Sequence, residues 1–231
     1  MQKVPAIIDG PPTRVGTAIG DITAGLFTTI AINSALFDRT KTGTGQFIDI
    51  SMLDCQIAIL ENAIARYSAT GTNPGPSAAR HPSIAPFECY ESSDGHIIIA
   101  AGNDVLFENL CRALDVSHLA TEERFLSNKA RIENVVALKE CLENILTKKD
   151  TNYWLSMLET AGVPCGPLNT VADAVADRQV QSRNMVVEIE SDSSTKLKIA
   201  GNPIKLSQYV DPEIRGSAPS LDQHRDQILD K

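Results

Sequence analysis

Residues 22–37 are apolar nearly all the way round a helix, since Ile22, Leu26, Phe27, Ile30, Ile32, Leu36 and Phe37 are interrupted only by small polar groups. A helix without a polar face must be covered on every side, so this segment predicts a buried helix inside a layered fold. The chain has the length for such a fold. At ~150 residues per domain, 231 residues make one large domain or two small ones, able to bury about 70% of the unfolded surface.

The surroundings of this helix follow from local signals. Arg39 and Lys41 suit its C-terminal end, Gly43 and Gly45 supply a turn, and residues 46–51 (QFIDIS) are β-prone. Leu53, Ile57, Leu60, Ile64 and Tyr67 then recur at helical spacing, predicting a second helix that ends near Gly71. Residues 70–86 (TGTNPGPSAARHPSIAP) are dense in Gly, Pro, Ser and Ala, the composition of a linker or binding loop and of a domain boundary. Residues 87–91 and 96–101 are β-prone and joined by Ser92-Ser93-Asp94-Gly95, a hairpin signal. Helices are predicted over about 104–114, 128–146 and 151–161, the last closed by Gly162 in a left-handed C′ position with Pro164 beyond. An extended connector between Pro164 and Pro167 follows, then a short helix from Thr170 to about Val180. Two strands, 185–190 and 196–200, surround Ser191-Asp192-Ser193-Ser194.

Charge and cysteine usage narrow the function classes. With 21 basic and 29 acidic residues the net charge is −8, the wrong sign for nucleic acid phosphates or an anionic membrane surface. No apolar run approaches the ~20 residues that span a bilayer, and the apolar stretch in MQKVPAIIDGPP is too short for a signal peptide. The five cysteines, Cys55, Cys89, Cys111, Cys141 and Cys165, are odd in number and never form C-x-x-C, which predicts free thiols in a reducing compartment. A cytoplasmic protein is expected, with a mitochondrial or peroxisomal location as the variant for a eukaryotic source.

Few residues offer chemistry. Asp21 follows a glycine-rich approach (VGTAIGD) and opens the apolar helix, where aligned peptide dipoles and free N–H groups favour the ionised carboxylate. Two readings stand side by side: an N-cap aspartate, or a carboxylate available as a nucleophile. Thr42-Gly43-Thr44-Gly45-Gln46 lacks the spacing of a phosphate loop and reads as a helix-to-strand turn. His81, His96, His118 and His224 show no metal-ligand spacing, so no metal is expected. His81 stands in Ala79-Arg80-His81-Pro82-Ser83, where a loop can close over a ligand or simply be solvated. Of Asp49 and Asp54, one is expected in solvent and the other capping a helix. Cys165, between two prolines with no histidine beside it, reads as an inert packed thiol, and Trp154 as core.

Taken in order, these segments resemble the class III CoA-transferase (CaiB/BaiF) family. The resemblance runs from Asp9-Gly10-Pro11-Pro12 through Gly20-Asp21, Ala24-Gly25, Ala35-Leu36, Arg39 and residues 42–46 to Asp49-Ile50-Ser51-Met52-Leu53-Asp54. It continues in residues 81–87 (HPSIAPF), Asp94-Gly95, residues 101–104 (AGND) and residues 162–167 (GVPCGP). The regions around His81 and residues 101–104 look closest to dicarboxylate-using members such as succinate–hydroxymethylglutarate CoA-transferase. The family's closing Pro-Pro-x-Leu-Gly-Glu-His stands here as Ala218-Pro219-Ser220-Leu221-Asp222-Gln223-His224, and the glycine-rich substrate loop of formyl-CoA transferase is absent.

The resemblance covers about the second half of a family member, so the N-terminal Rossmann-like half with most CoA contacts is expected to be missing. It implies an α/β fold in which a large domain is interrupted by a smaller α+β domain. Residues 1–69 form a large-domain segment, 70–86 a linker and substrate loop, 87–162 the small domain, and 163–231 the return to the large domain. By resemblance Asp21 is the nucleophile, with Gly20, Arg80, His81 and Ser83 expected around the substrate. The implied reaction is transfer of coenzyme A between carboxylic acids through an aspartyl anhydride and an aspartyl thioester. Acyl-CoA and free acids are the substrates, no cofactor is bound permanently, and the intact fold is a homodimer. Two alternatives remain: an acyl-CoA racemase of the same family, and a non-catalytic fragment or interaction subunit.

Overall fold

The computed structural model describes residues 15–73, 79–190 and 197–229, and the chain divides into two compact units, residues 2–168 and residues 169–231. Asp9-Gly10-Pro11-Pro12, part of the 70–86 linker and the turn at residues 191–194 lie outside the described residues.

In the first unit the apolar segment forms helix α1, Ile19–Thr42. Gly43 stops it by adopting φ 72°, a left-handed conformation that costs glycine no side-chain clash, and its N–H reaches the carbonyl of Arg39 at 2.9 Å. The expected burial is not found. Among its residues only Thr23 is fully buried, while Leu26, Ile30 and Phe37 are each about 60% exposed. Among the described residues helix α1 packs chiefly on α2, Met52–Ala58, which leaves most of its circumference open. The helix is also long and apolar enough to cross a bilayer by length and composition. This corrects the expectation that no apolar run approaches that length, because Thr28, Thr29, Asn33 and Ser34 interrupt the run without making it polar. Thr29 and Asn33 return their polar atoms to the helix itself, donating to the carbonyls of Gly25 and Thr29 at 2.9 Å. So large an exposed apolar face predicts that the chain expressed alone associates. Light scattering should report particles larger than one chain, and a monodisperse monomer would contradict this.

Two further expectations fail locally. Residues 43–51 form neither helix nor strand, so QFIDIS is not a sheet element here. The helix expected to run to Gly71 is broken into α2 and α3, Glu61–Thr70, at Ile59 and Leu60. Ser51, not an aspartate, caps α2: its hydroxyl accepts from the Asp54 N–H at 3.4 Å, and Asp49 and Asp54 both lie in solvent.

The hairpin is formed as expected. Strands β1, Phe87–Glu91, and β2, His96–Ala100, pair antiparallel with Cys89 opposite Ile98. Asp94 fixes the turn by accepting from both the N–H and the hydroxyl of Thr151 at 2.8 Å, and these bonds hold its carboxyl below the usual range. The connector between the two prolines is instead a third strand, β3, Cys165–Pro167, antiparallel to β2. Pro167 ends that strand, and the extended backbone before it supplies partners that β2 would otherwise lack.

Helices cover this sheet. They are α4, Asp104–Ala113; α5, Asn128–Glu133; α6, Val135–Leu146; and α7, Thr151–Thr160, with two short 3-10 turns between α4 and α5. The single helix expected over 128–146 is two, because the chain breaks at Asn134. Ile97 and Ile99 of β2 meet Phe107, Leu110, Leu138, Leu142, Trp154 and Leu158 in one core. Trp154 is core as expected, and its buried indole N–H is satisfied by the Leu146 carbonyl at 2.7 Å. Gly162 holds φ 69° after α7, matching the left-handed position expected of it. All five cysteines are free; burial pushes the Cys111 thiol up to about 12 and raises Cys165 as well, so neither is a thiolate at neutral pH.

The second unit holds α8, Val171–Ala176, and α9, Arg178–Ser182, where one short helix was expected. Thr170 and Asp173 form a capping box on α8, and Asp177 interrupts the helix to cap α9 through Gln179 and Val180. Strand β4, Val186–Ile189, pairs antiparallel with β5, Leu197–Ala200, and parallel with β6, Ile214–Arg215. A terminal helix, α10, spans Arg225–Leu229.

Candidate functional site

Helix α1 starts two residues before Asp21, with Ala18 at the N-cap and no side-chain cap bond. Asp21 is therefore in the first turn and not the cap, which removes one of its two readings. Its carboxylate is exposed and has no hydrogen bond or ion pair among the described residues. The open N–H groups of the first turn and the helix dipole favour its ionised form without consuming its oxygens. Gly20, beside it, faces α2: a Cβ there would lie 3.3 Å from the Gln56 amide, so glycine permits the close approach that sets this end of α1 against its neighbour.

The Arg80–Ser83 segment is built differently. The His81 backbone N–H bonds the Phe87 carbonyl at 2.8 Å, and the imidazole stacks on the Phe87 ring with centroids 5.2 Å apart and planes 12° from parallel. His81 Nδ1 accepts from the Ser83 N–H at 3.2 Å, so in the neutral ring Nε2 carries the proton and is free to donate outward.

The floor beneath this loop was not anticipated. Asn128, at the start of α5, accepts from the Ala85 N–H and donates to the Ser83 carbonyl, both at 3.0 Å. Arg131, one turn further, is wholly buried. Its Nε donates to the Ala85 carbonyl at 2.7 Å, Nη1 to Phe125 at 3.0 Å and Nη2 to Asp104 at 2.7 Å, while the guanidinium lies over the Phe107 ring. An arginine is normally exposed, and nothing in its helical spacing distinguishes it from a solvent-facing charge. The only sequence signal was a peptide segment rich in proline, whose carbonyls must find donors somewhere.

His81 and Pro82 face a cleft of about 320 Å³ completed by Ile59, Leu60, Asn62, Ala63 and Arg66. Arg80 and His81 together border a second, smaller cavity of about 40 Å³ with Ile84, Ala85, Ile132 and Val135. Gly20, Asp21 and Ser83 line neither. The five expected residues thus form two groups, Gly20 with Asp21 at the head of α1 and Arg80 with His81 on the loop, with Ser83 exposed between the loop and its anchor. Among the described residues no cluster of three His, Cys, Asp or Glu side chains is arranged to hold a metal.

Comparison with known proteins bears on what this arrangement is for. The model of CoA-transferase family III matches residues 3–225. The chain belongs to that family. Relatives include the acetyl-CoA:oxalate CoA-transferase of Acetobacter aceti, 43% identical over 93% of this chain and 54% of its own length. The succinate–glutarate CoA-transferase of Agrobacterium fabrum is 36% identical over 96% and 55%, and the human succinyl-CoA:glutarate CoA-transferase 32% identical over 96% and 50%. The chain spans about half the length of the curated relatives it matches. A crystal structure of a CaiB/BaiF family protein from Brucella suis superposes with a TM-score of 0.78 at 38% identity, over 96% of this chain and 57% of that one. Coverage that complete cannot omit a helix of 24 residues, so α1 is part of the shared fold. The mixed α/β architecture with small sheets is the CaiB/BaiF fold.

Proposed function

We propose that the whole protein transfers coenzyme A between carboxylic acids and that this chain supplies the nucleophile, Asp21. The observation that carries the reading is the state of that carboxylate: exposed, unpaired, and held at the head of a long helix in a chain whose relatives are CoA-transferases. A carboxylate already engaged in capping or an ion pair would be a poor nucleophile.

The steps follow from carboxylate and thioester chemistry. An Asp21 oxygen attacks the acyl-CoA carbonyl, the C–S bond breaks, and CoA leaves as a thiolate, giving a mixed anhydride. The thiolate attacks the Asp21 carbonyl carbon, expelling the donor acid as a carboxylate and leaving an aspartyl-CoA thioester. An acceptor carboxylate then attacks that thioester, releasing the thiolate. The thiolate in turn attacks the acceptor's carbonyl, regenerating Asp21 and forming the new acyl-CoA. Free N–H groups in the first turn of α1 support the negative charge that develops beside Asp21. Gly20 places that turn close to α2, and the Arg80–Ser83 loop borders the substrate.

Residues 1–69 and 163–231 belong in this reading to one large domain, interrupted by the small α+β domain of residues 87–162 and reached through 70–86. The assembly is a homodimer in the cytoplasm or an equivalent reducing compartment, without nucleic acid or membrane partners. Coenzyme A enters as substrate.

The test is covalent capture. The protein restored to the length of its relatives, incubated with succinyl-CoA and then hydroxylamine or borohydride, should carry its modification on the peptide containing Asp21. A racemase needs the carboxylate only for proton exchange. Solvent deuterium entering the acyl α-carbon, without an adduct and without need of an acceptor acid, would replace transfer by racemisation.

A further inference from the structure

The three-stranded sheet β1-β2-β3 has two edges, and its ladder fixes which main-chain groups each edge turns outward. Ser92 stands opposite Gly95 and Pro86 opposite Ala101, and both pairs are hydrogen-bonded, Ser92 N–H to Gly95 at 3.0 Å and Ala101 N–H to Pro86 at 2.9 Å. Alternation along an antiparallel strand then turns Glu88 and Tyr90 toward β2, and Phe87, Cys89 and Glu91 away from it. By the same rule, the bonds from Ala100 to Pro164 and from Leu168 to His96 put Cys165 and Pro167 on the far edge of β3. That edge is short, and its outward Pro167 has no N–H to offer a further strand.

The free edge of β1 is closed by other means. Leu138 and Leu142 fix α6 in the core, and their neighbours Lys139 and Glu143, one helical turn apart, reach the edge. Lys139 Nζ donates to the Cys89 carbonyl at 2.6 Å, and Glu143 Oε1 accepts from the Glu91 N–H at 3.0 Å. The His81 N–H takes the Phe87 carbonyl at 2.8 Å. These groups stand where the N–H and C=O groups of a neighbouring strand would stand. Lys139 is itself immobilised. Its three N–H donors meet three oxygens, the other two being those of Glu88 at 3.2 Å and Glu143 at 3.0 Å, and Nζ lies 4.7 Å from the Tyr90 ring centroid. Water alone satisfies a carbonyl at a solvated edge, without the side-chain entropy that fixing a lysine costs; excluding a strand requires a fixed group.

We infer that Lys139 and Glu143 form an edge lock, imitating a neighbouring strand and so barring β1 from antiparallel pairing with the β1 of a second copy of this chain. A second copy is the occupant to exclude because β1 is its own complement. In an antiparallel self-pair centred on Cys89, Phe87 of each copy faces Glu91 of the other, and every outward donor meets an outward acceptor. The inference does not depend on the transferase reading.

The test uses the 231-residue chain and a synthetic peptide of residues 86–92, its cysteine changed to serine, as the stand-in for a second β1. The lock is removed in the triple variant Glu88→Gln, Lys139→Leu and Glu143→Leu, where Glu88 is changed because it is buried and would otherwise keep an uncompensated charge. Exchange at the Glu91 amide, followed by NMR, should be at least about tenfold faster in this variant than in the wild type. Millimolar peptide should restore protection in the variant and change nothing in the wild type, and a peptide N-methylated at its odd-numbered positions should restore nothing. Because the readout is at β1 itself, association through α1 does not enter it.

Glu143→Leu alone, which keeps the Lys139–Glu88 pair, should show the same behaviour at smaller amplitude and decides the matter if the triple variant does not fold. Glu143→Gln, which keeps an acceptor for the Glu91 N–H, should match the wild type. Equal peptide responses in wild type and variants, whether both present or both absent, would overturn the assignment. So would a lower urea midpoint with unchanged exchange at Glu91, the result expected of a cluster that only stabilises the fold.

Discussion

Asp21→Asn should eliminate CoA transfer, by about 10⁴-fold or more, in a protein that folds as well as the wild type. The magnitude follows from the role. An amide oxygen does not form the anhydride, so the covalent step has no nucleophile. The folding half of the expectation follows from the helix start. Asp21 caps nothing, since the N-cap is Ala18 and the Asp21 side chain makes no bond to the first turn. Its removal forfeits only the interaction of a negative charge with the helix dipole, below about 1 kcal/mol at an exposed position. Turnover and urea denaturation on the same preparation separate the two effects, with mass spectrometry checking that the introduced asparagine has not deamidated back to aspartate. Wild-type turnover in the variant would show that Asp21 is a bystander. A large loss of stability would show that it anchors the helix in a way the geometry does not reveal.

Much of this was legible in the sequence, and the parts that were not share a physical cause. Short-range signals transferred well. Asp94-Gly95 gave the hairpin turn, Gly43 and Gly162 the left-handed stops, and Thr170 the cap of α8. Gly43, Gly162 and Thr170 act on backbone within four positions, and the Asp94-Gly95 turn is read from its residue types although Thr151, 57 positions on, holds the Asp94 carboxylate. The misses concern groups whose partners are distant in sequence. Periodicity marked α1 as buried, but periodicity describes only what a helix must avoid, and in this chain α2 is the element that covers part of it. The breaks at Ile59–Leu60, Asn134 and Asp177 divide helices whose apolar spacing runs on undisturbed. At the site, a motif resemblance pointed to Gly20, Asp21, Arg80, His81 and Ser83. It did not point to Asn128 or Arg131, which act across intervals of 43 to 46 residues that no local pattern encodes.

The largest stability effect belongs to Arg131, and its size follows from which of its three bonds reach buried acceptors. Methionine at this position fills the volume of the aliphatic stem and keeps contact with Phe107, so the cost of Arg131→Met is mainly polar. The carbonyls of Ala85 and Phe125 lose their buried donors, at about 1–3 kcal/mol each. Asp104 loses its partner as well, but its side chain is 64% exposed and water replaces the bond, so the heavy penalty of stranding a buried charge does not arise. The expected destabilisation is about 2–5 kcal/mol, read as a lower urea midpoint with an unchanged slope. Lysine keeps the charge, but its single ammonium group cannot reproduce the guanidinium fork, so Arg131→Lys should recover only part of the loss. The effect should also be local before it is global. Ala85 is tied to α5 through Asn128 and Arg131, and the neighbouring His81 N–H is tied to Phe87, so hydrogen exchange at the His81 amide should quicken in Arg131→Met under conditions where the β1–β2 amides remain protected. A variant within about 0.5 kcal/mol of wild type would mean that the two carbonyls find water once the guanidinium is gone. Of its two anchors on α5, the loop that carries His81 would then keep Asn128.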